Sequence, residues 1–89
     1  MLKLSITKSN LRFGYVIWKT KQDGAVKRLL GDQEQIQVIF ENSDLGLKRI
    51  DWKYHRISLG PRKMSSVPEG AVEFTLSLDD KKRLLIRCE

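Results

Sequence analysis

Residues 71–88 read Ala71-Val72-Glu73-Phe74-Thr75-Leu76-Ser77-Leu78-Asp79-Asp80-Lys81-Lys82-Arg83-Leu84-Leu85-Ile86-Arg87-Cys88. Val72, Phe74, Leu76 and Leu78 share one parity, against Glu73, Thr75 and Ser77. Leu84, Ile86 and Cys88 repeat the pattern against Arg83 and Arg87. A period of two places apolar side chains on one side of an extended chain, so the stretch predicts a β-hairpin with one buried face. Asp79-Asp80-Lys81 supplies its turn, because short polar side chains bond to nearby backbone and tolerate tight dihedrals.

The same period recurs upstream. Leu2, Leu4 and Ile6 alternate with Lys3, Ser5 and Thr7, and Ile36, Val38 and Phe40 alternate with Gln35, Gln37 and Glu41. Phe13 to Lys19 is apolar on both faces, which predicts a central strand or one passing through a barrel interior. Gln22-Asp23-Gly24, Gly31-Asp32 and Asn42-Ser43-Asp44 are turn signals. Ile50, Trp52 and Tyr54 have even parity, whereas Ile57 and Leu59 are odd. A flat strand cannot exchange its buried face, so a bulge or tight turn is expected near Tyr54 to Arg56. Helix is confined to Gly24–Leu30 and Pro61–Val67; Pro61 suits a first helical position and Pro68 stops the second piece. The expectation is a mainly β, single-domain barrel over residues 1–89, of about six to seven short strands with one or two short helical turns. An OB-like closure stays open, since strand order is not readable from the pattern.

With 40% hydrophobic and 31% charged residues, the chain has the balance of a folded domain and not of a disordered one. A single cysteine, Cys88, excludes an intrachain disulfide and fits a reducing compartment. The N-terminus alternates where a signal peptide needs an unbroken apolar run, and no stretch is long enough to cross a membrane as a helix. A cytoplasmic setting without membrane contact is therefore expected.

The charge is concentrated. Leu45 to Lys63 holds Lys48, Arg49, Lys53, Arg56, Arg62 and Lys63 against one acid, Asp51, or 6 − 1 = +5 of the chain's net +6. Trp52, Tyr54 and His55 are interleaved with these cations. Cations mixed with flat rings suit a polyanion, with phosphates drawn by the charges and bases by the rings. The candidate contact residues are Lys48, Arg49, Lys53, Tyr54, Arg56, Arg62 and Lys63. The competing reading is a solvated edge blunted by charge against strand pairing. Lys27 and Arg28 form a smaller basic patch. Parity with Ile50 assigns Trp52 to core packing, while Trp18 and Tyr54 fit either role.

Catalytic and metal signatures are missing. His55 stands among cations and lacks an obvious carboxylate partner for general acid–base work. Cys88 lies on the apolar side of a strand and reads as a core or rim residue. One histidine and one cysteine cannot make a zinc cluster. Neither a glycine-rich phosphate loop nor a serine-nucleophile motif occurs. A non-enzyme without cofactor or metal is expected.

The two halves are also alike at low resolution. In residues 12–42, Tyr15-Val16-Ile17-Trp18 leads through a basic segment ending Lys27-Arg28-Leu29-Leu30 and Gly31 to the Ile36–Phe40 strand. In residues 54–80, Arg56-Ile57-Ser58-Leu59 leads through Arg62-Lys63 and Pro68-Glu69-Gly70 to Val72-Glu73-Phe74. This order resembles the half-motif of AbrB/MazE-type swapped-hairpin barrels, through Gly14-Tyr15-Val16-Ile17-Trp18 and Pro68-Glu69-Gly70-Ala71-Val72-Glu73-Phe74. Trp18 or Lys19 stands where that family has proline, and Ala71 where it has aspartate. Tandem halves in one chain are closer to the DNA-binding pseudobarrel domains, and the resemblance implies double-stranded DNA binding. A second resemblance, to cold-shock domains, runs through Arg12-Phe13-Gly14-Tyr15-Val16 and Glu69-Gly70-Ala71-Val72-Glu73-Phe74. It implies an RNA-binding strand with one outward ring, Phe13 or Tyr15; that family's second phenylalanine-rich motif is absent.

Three functions compete. The first is a DNA-binding barrel using residues 48–63, with DNA expected before RNA and the chain a monomer or homodimer. The second is an interaction module, antitoxin-like or an adaptor, that binds an acidic protein with Trp52 and Tyr54 as anchors. The third is RNA cleavage around His55, Arg56 and Tyr54.

Overall fold

In the computed structural model, which describes residues 1–89, the hairpin forms as expected: β6 (Glu73–Leu78) pairs with β7 (Leu84–Cys88), Phe74 opposite Cys88 and Leu78 opposite Leu84. The turn is closed by the Asp79 carboxylate, which accepts from the backbone N–H groups of Lys81 and Arg83 and from Arg83 Nε. Burial works against that charge, but the bonds from Arg83 outweigh it and hold the Asp79 pKa below its ordinary value. β1 (Leu2–Ser5) joins the outer side of β6. β3 (Gln35–Phe40) runs parallel to β7, the only parallel pairing in the molecule. β4 (Ser43–Asp51) returns antiparallel along β3, with a bulge where Gly46 faces Val38 and Asp44 faces Ile39. β5 (Arg56–Ser58) pairs with β4, and β2 (Tyr15–Ile17) with β5.

The strand order is β1-β6-β7-β3-β4-β5-β2, curled into a nearly closed barrel whose free edges are β1 and β2. α1 (Lys8–Phe13) links those two edges. α2 (Asp23–Leu30) follows a 3-10 turn at Thr20–Gln22, and a second 3-10 helix spans Pro61–Ser66. The core is the inward parity of nearly every strand: Leu4, Val16, Ile36, Val38, Phe40, Ile50, Ile57, Phe74, Leu76, Leu84 and Ile86, capped by Trp18, Val26, Leu30, Leu59 and Met64. Burying each such aliphatic side chain contributes about 1.5–3 kcal/mol. A radius of gyration of 11.8 Å, against about 12 Å for one folded unit of this length, makes the chain a single domain. No helix is long and apolar enough to cross a membrane.

Five expectations are corrected. Phe13–Lys19 is not a central strand: Phe13 ends α1, and β2 is the last strand of the sheet. Its two-sided apolar pattern is met instead by side chains lying over its outer face, described below. α1 was not legible, because its six residues carry no apolar repeat. It rests on a capping box in which Thr7 Oγ1 accepts from the Asn10 N–H and Asn10 Oδ1 accepts from the Thr7 N–H. Asn10 is almost fully buried and donates its amide to the Tyr15 carbonyl. The β3–β4 turn falls at Glu41–Asn42, both with positive φ, so Ser43 and Asp44 belong to the strand; paired left-handed residues match the twist of a two-residue hairpin. Asp23-Gly24 opens α2 in place of a loop, and Val72 precedes β6 and stays exposed.

Of the two half-repeats, β2 and β5 pair directly, while β7 separates β3 from β6.

Candidate nucleic-acid interface

The parity change expected near Tyr54–Arg56 is a turn over Trp52–His55, with His55 at φ +57. Asp51 Oδ1 accepts the Tyr54 N–H at 3.0 Å, and the His55 carbonyl accepts the Trp18 N–H at 2.9 Å. Because Ile50 and Ile57 point inward, Arg49, Asp51, Arg56 and Ser58 point outward. On β2, buried Val16 likewise sends Tyr15 and Ile17 outward. Arg56 lies opposite both Ile17 and Asp51, in the middle of this three-stranded outer surface.

Gly14 brings α1 onto the same surface. It takes a left-handed φ of +75 as the C-cap of α1 and turns the chain directly into β2. Its backbone presses against Gly60: a Cβ at Gly14 would lie 2.1 Å from the Gly60 carbonyl carbon. The Leu59 and Gly60 N–H groups both donate to the Gly14 carbonyl, at 2.7 and 3.2 Å. Phe13 on one side of this corner therefore stacks on Tyr15 on the other, with centroids 6.1 Å apart and planes 25° from parallel. The single outward ring expected from sequence becomes two.

The result is one unbroken row. Arg12 lies over Phe13 (5.3 Å), Phe13 on Tyr15, Arg56 over Tyr15 (4.2 Å) and over Tyr54 (5.1 Å), and Lys53 over Tyr54 (5.4 Å). Each exposed cation–ring contact contributes only about 0.5–1 kcal/mol. Their larger effect is to hold the guanidinium of Arg56 against two rings, with no hydrogen bond or ion pair to a protein group. The molecule's two ion pairs lie elsewhere, at His55–Asp23 and Arg83–Asp79, so none of these cations is neutralised by a carboxylate. Phe13 is 49% and Tyr54 56% exposed, which is high for rings of this size.

The residues expected from sequence divide. Lys53, Tyr54 and Arg56 are gathered in the row, and Arg49 shares their outward face. Lys48 has the inward parity of Ile50 and is half-buried, so adjacent strand positions separate it from Arg49. Arg62 and Lys63 are exposed on the 61–66 helix, which packs against α1 but contributes nothing to the row. Arg12, Phe13 and Tyr15 stood outside the basic segment; the signal that could have paired the two rings is their spacing of two, which puts them on one side of an extended chain.

Behind the row, Trp18 is buried and its Nε1 donates to Asp23 Oδ1 at 2.6 Å. Trp52 is half-buried, packs edge-on against Trp18 (5.7 Å, 69°), and donates to the Gln33 carbonyl. Both indoles thus satisfy their N–H groups, and Lys27 lies over Trp52 at 5.7 Å. His55 does have a carboxylate partner: its Nδ1 is 2.8 Å from the same Asp23 Oδ1. Thirty-two residues separate the pair, so no local pattern could have announced it. The Trp18 indole, with His55 adding to it, holds the Asp23 carboxyl below its ordinary pKa. Burial, and then Glu41, push the Cys88 thiol up to about 12, which leaves it without thiolate character near neutrality.

No family model, curated protein or solved structure matches the chain.

Proposed function

We propose that this barrel binds nucleic acid on the outer surface of β2, β5 and β4 together with the end of α1, without catalysis. The observation that carries the reading is the row Arg12–Phe13–Tyr15–Arg56–Tyr54–Lys53, in which every cation rests on a ring and none on a carboxylate. Free guanidinium edges suit phosphate oxygens, which they meet with paired, charge-assisted bonds. Arg49 extends the positive field along β4. The test is fluorescence anisotropy with labelled oligonucleotides across a salt series. If the four cations Arg12, Arg49, Lys53 and Arg56 meet phosphates, log affinity should fall against log salt with slope about −2.8 on a single strand or about −3.6 on a duplex. Arg56→Ala should weaken binding and reduce that slope by about one unit. No binding to any nucleic acid at low salt, or a stoichiometric acidic protein that co-purifies after nuclease treatment, would replace this reading.

A second reading rests on the His55–Asp23 contact. A carboxylate on Nδ1 orients an imidazole so that Nε2 can accept a proton, as required to activate a ribose hydroxyl. The same Asp23 oxygen also takes the Trp18 indole, which favours a structural tie. RNA degradation unchanged in His55→Ala would dismiss the catalytic reading.

A further inference from the structure

We infer that the polymer held on this surface is single-stranded, with unpaired bases stacked on Phe13 and Tyr54. The inference rests on the nucleic-acid reading above and names its substrate class.

A closed duplex offers a protein surface few groups to stack on. Its base faces are covered by neighbouring base pairs, so only phosphates, sugars and groove edges reach a protein surface. A surface built for phosphates alone needs cations and gains nothing from exposed rings. Here the rings are about half exposed, at 49% for Phe13 and 56% for Tyr54, and they stand at the two ends of the row. Each is overlain by a cation on a long, exposed side chain, Arg12 at one end and Lys53 at the other. Such a side chain can swing off the ring and yield the face to a base, which leaves its charge beside the adjoining phosphate. Tyr15 and Arg56 lie between them in a different state. Both are half-buried, and Tyr15 is in contact with both Phe13 and Arg56. The centre of the row is thus a fixed phosphate contact, and its ends are two stacking positions. That alternation follows the backbone–base–backbone order of an extended strand.

Shape agrees with this. A strongly curled sheet presents a convex outer wall, and a flexible strand can follow it. The groove-reading elements of duplex binders are a protruding helix or a two-stranded ribbon. α1 has only six residues and its end is occupied in building the corner at Gly14, so no such element projects from this face.

The experiment compares one oligonucleotide sequence as single-stranded DNA, as single-stranded RNA and as a blunt hairpin duplex of equal charge, by anisotropy at fixed salt. The expected result is at least ten-fold tighter binding to a single strand than to the hairpin. The DNA and RNA arms identify which sugar is preferred. Phe13→Ala and Tyr54→Ala should each weaken single-strand binding by about ten-fold and leave the salt slope unchanged, because stacking releases no counterions. Phe13→Leu keeps apolar area and loses the ring, so it should bind as weakly as Phe13→Ala; thermal melts of all three variants verify folding. Hairpin binding as tight as single-strand binding, or full affinity in Phe13→Leu, overturns the inference while nucleic-acid binding stands. No binding to any of the three polymers overturns both.

Discussion

Two walls of the barrel are made in opposite ways. The β1–β6–β7–β3 wall is regular: its inward residues alternate without a break from Phe74 to Leu76, from Leu84 to Ile86 and from Ile36 to Phe40, and its strands pair in continuous ladders up to the free edge at β1. The α1–β2–β5 corner has strands of three residues, a left-handed glycine wedged on another backbone, a left-handed histidine and a buried asparagine. The regular wall carries core and few free functional groups. The irregular corner carries the cations and rings. Strain and broken periodicity collect where side chains must be aimed outward in a set order, since regular alternation cannot bring residues one position apart to the same side.

The sharpest way to break this contrast is at Gly14. Gly14→Ala forces a Cβ into the Gly60 backbone and imposes a left-handed φ on alanine. It should cost about 5 kcal/mol or more, comparable to the whole stability of a small domain. Gly70→Ala has the same sign of φ but open space around it and should cost only about 1–2 kcal/mol. Denaturant unfolding of the two variants compares them directly, and similar losses would mean that the Gly14–Gly60 approach does not support the corner.

Phe74→Ala tests the regular wall. Phe74 is fully buried and packs on Phe40 at 6.3 Å. Truncation should cost about 4 kcal/mol through lost transfer energy and a residual cavity. Nucleic-acid affinity of the fraction still folded should be unchanged. A large loss of affinity at constant folded fraction would show that the two walls are not independent.

The smallest effect sharpens the contrast within the corner. Asp23 has a folded pKa below its unfolded value, so its contribution to stability is present above about pH 4. That contribution is lost as pH falls through the lower folded value. Asp23→Asn should flatten this part of the acid limb in thermal melts between about pH 5 and pH 2, with a lower melting temperature at neutrality. An acid limb identical to the parent's would assign the loss to Asp79, the other depressed carboxyl.

The interface was half legible. The Leu45–Lys63 segment supplied Lys53, Tyr54 and Arg56, but charge density says nothing of facing, so it grouped Lys48 with Arg49 and added Arg62 and Lys63. The partners that make the row, Arg12, Phe13 and Tyr15, lie about forty residues upstream and reach it only because β2 pairs with β5.

The sequence by itself determined that this is a mainly β chain, where its buried parity lies, and where that parity must change, because hydrophobic alternation is local and written residue by residue. Only the tertiary structure decided which edges meet: the parallel β3–β7 pairing, the place of β2 at the end of the sheet, and the Asp23 partner of His55. Those contacts join residues far apart in the chain, and they are selected by the closure of one shared core, to which no single segment holds the key.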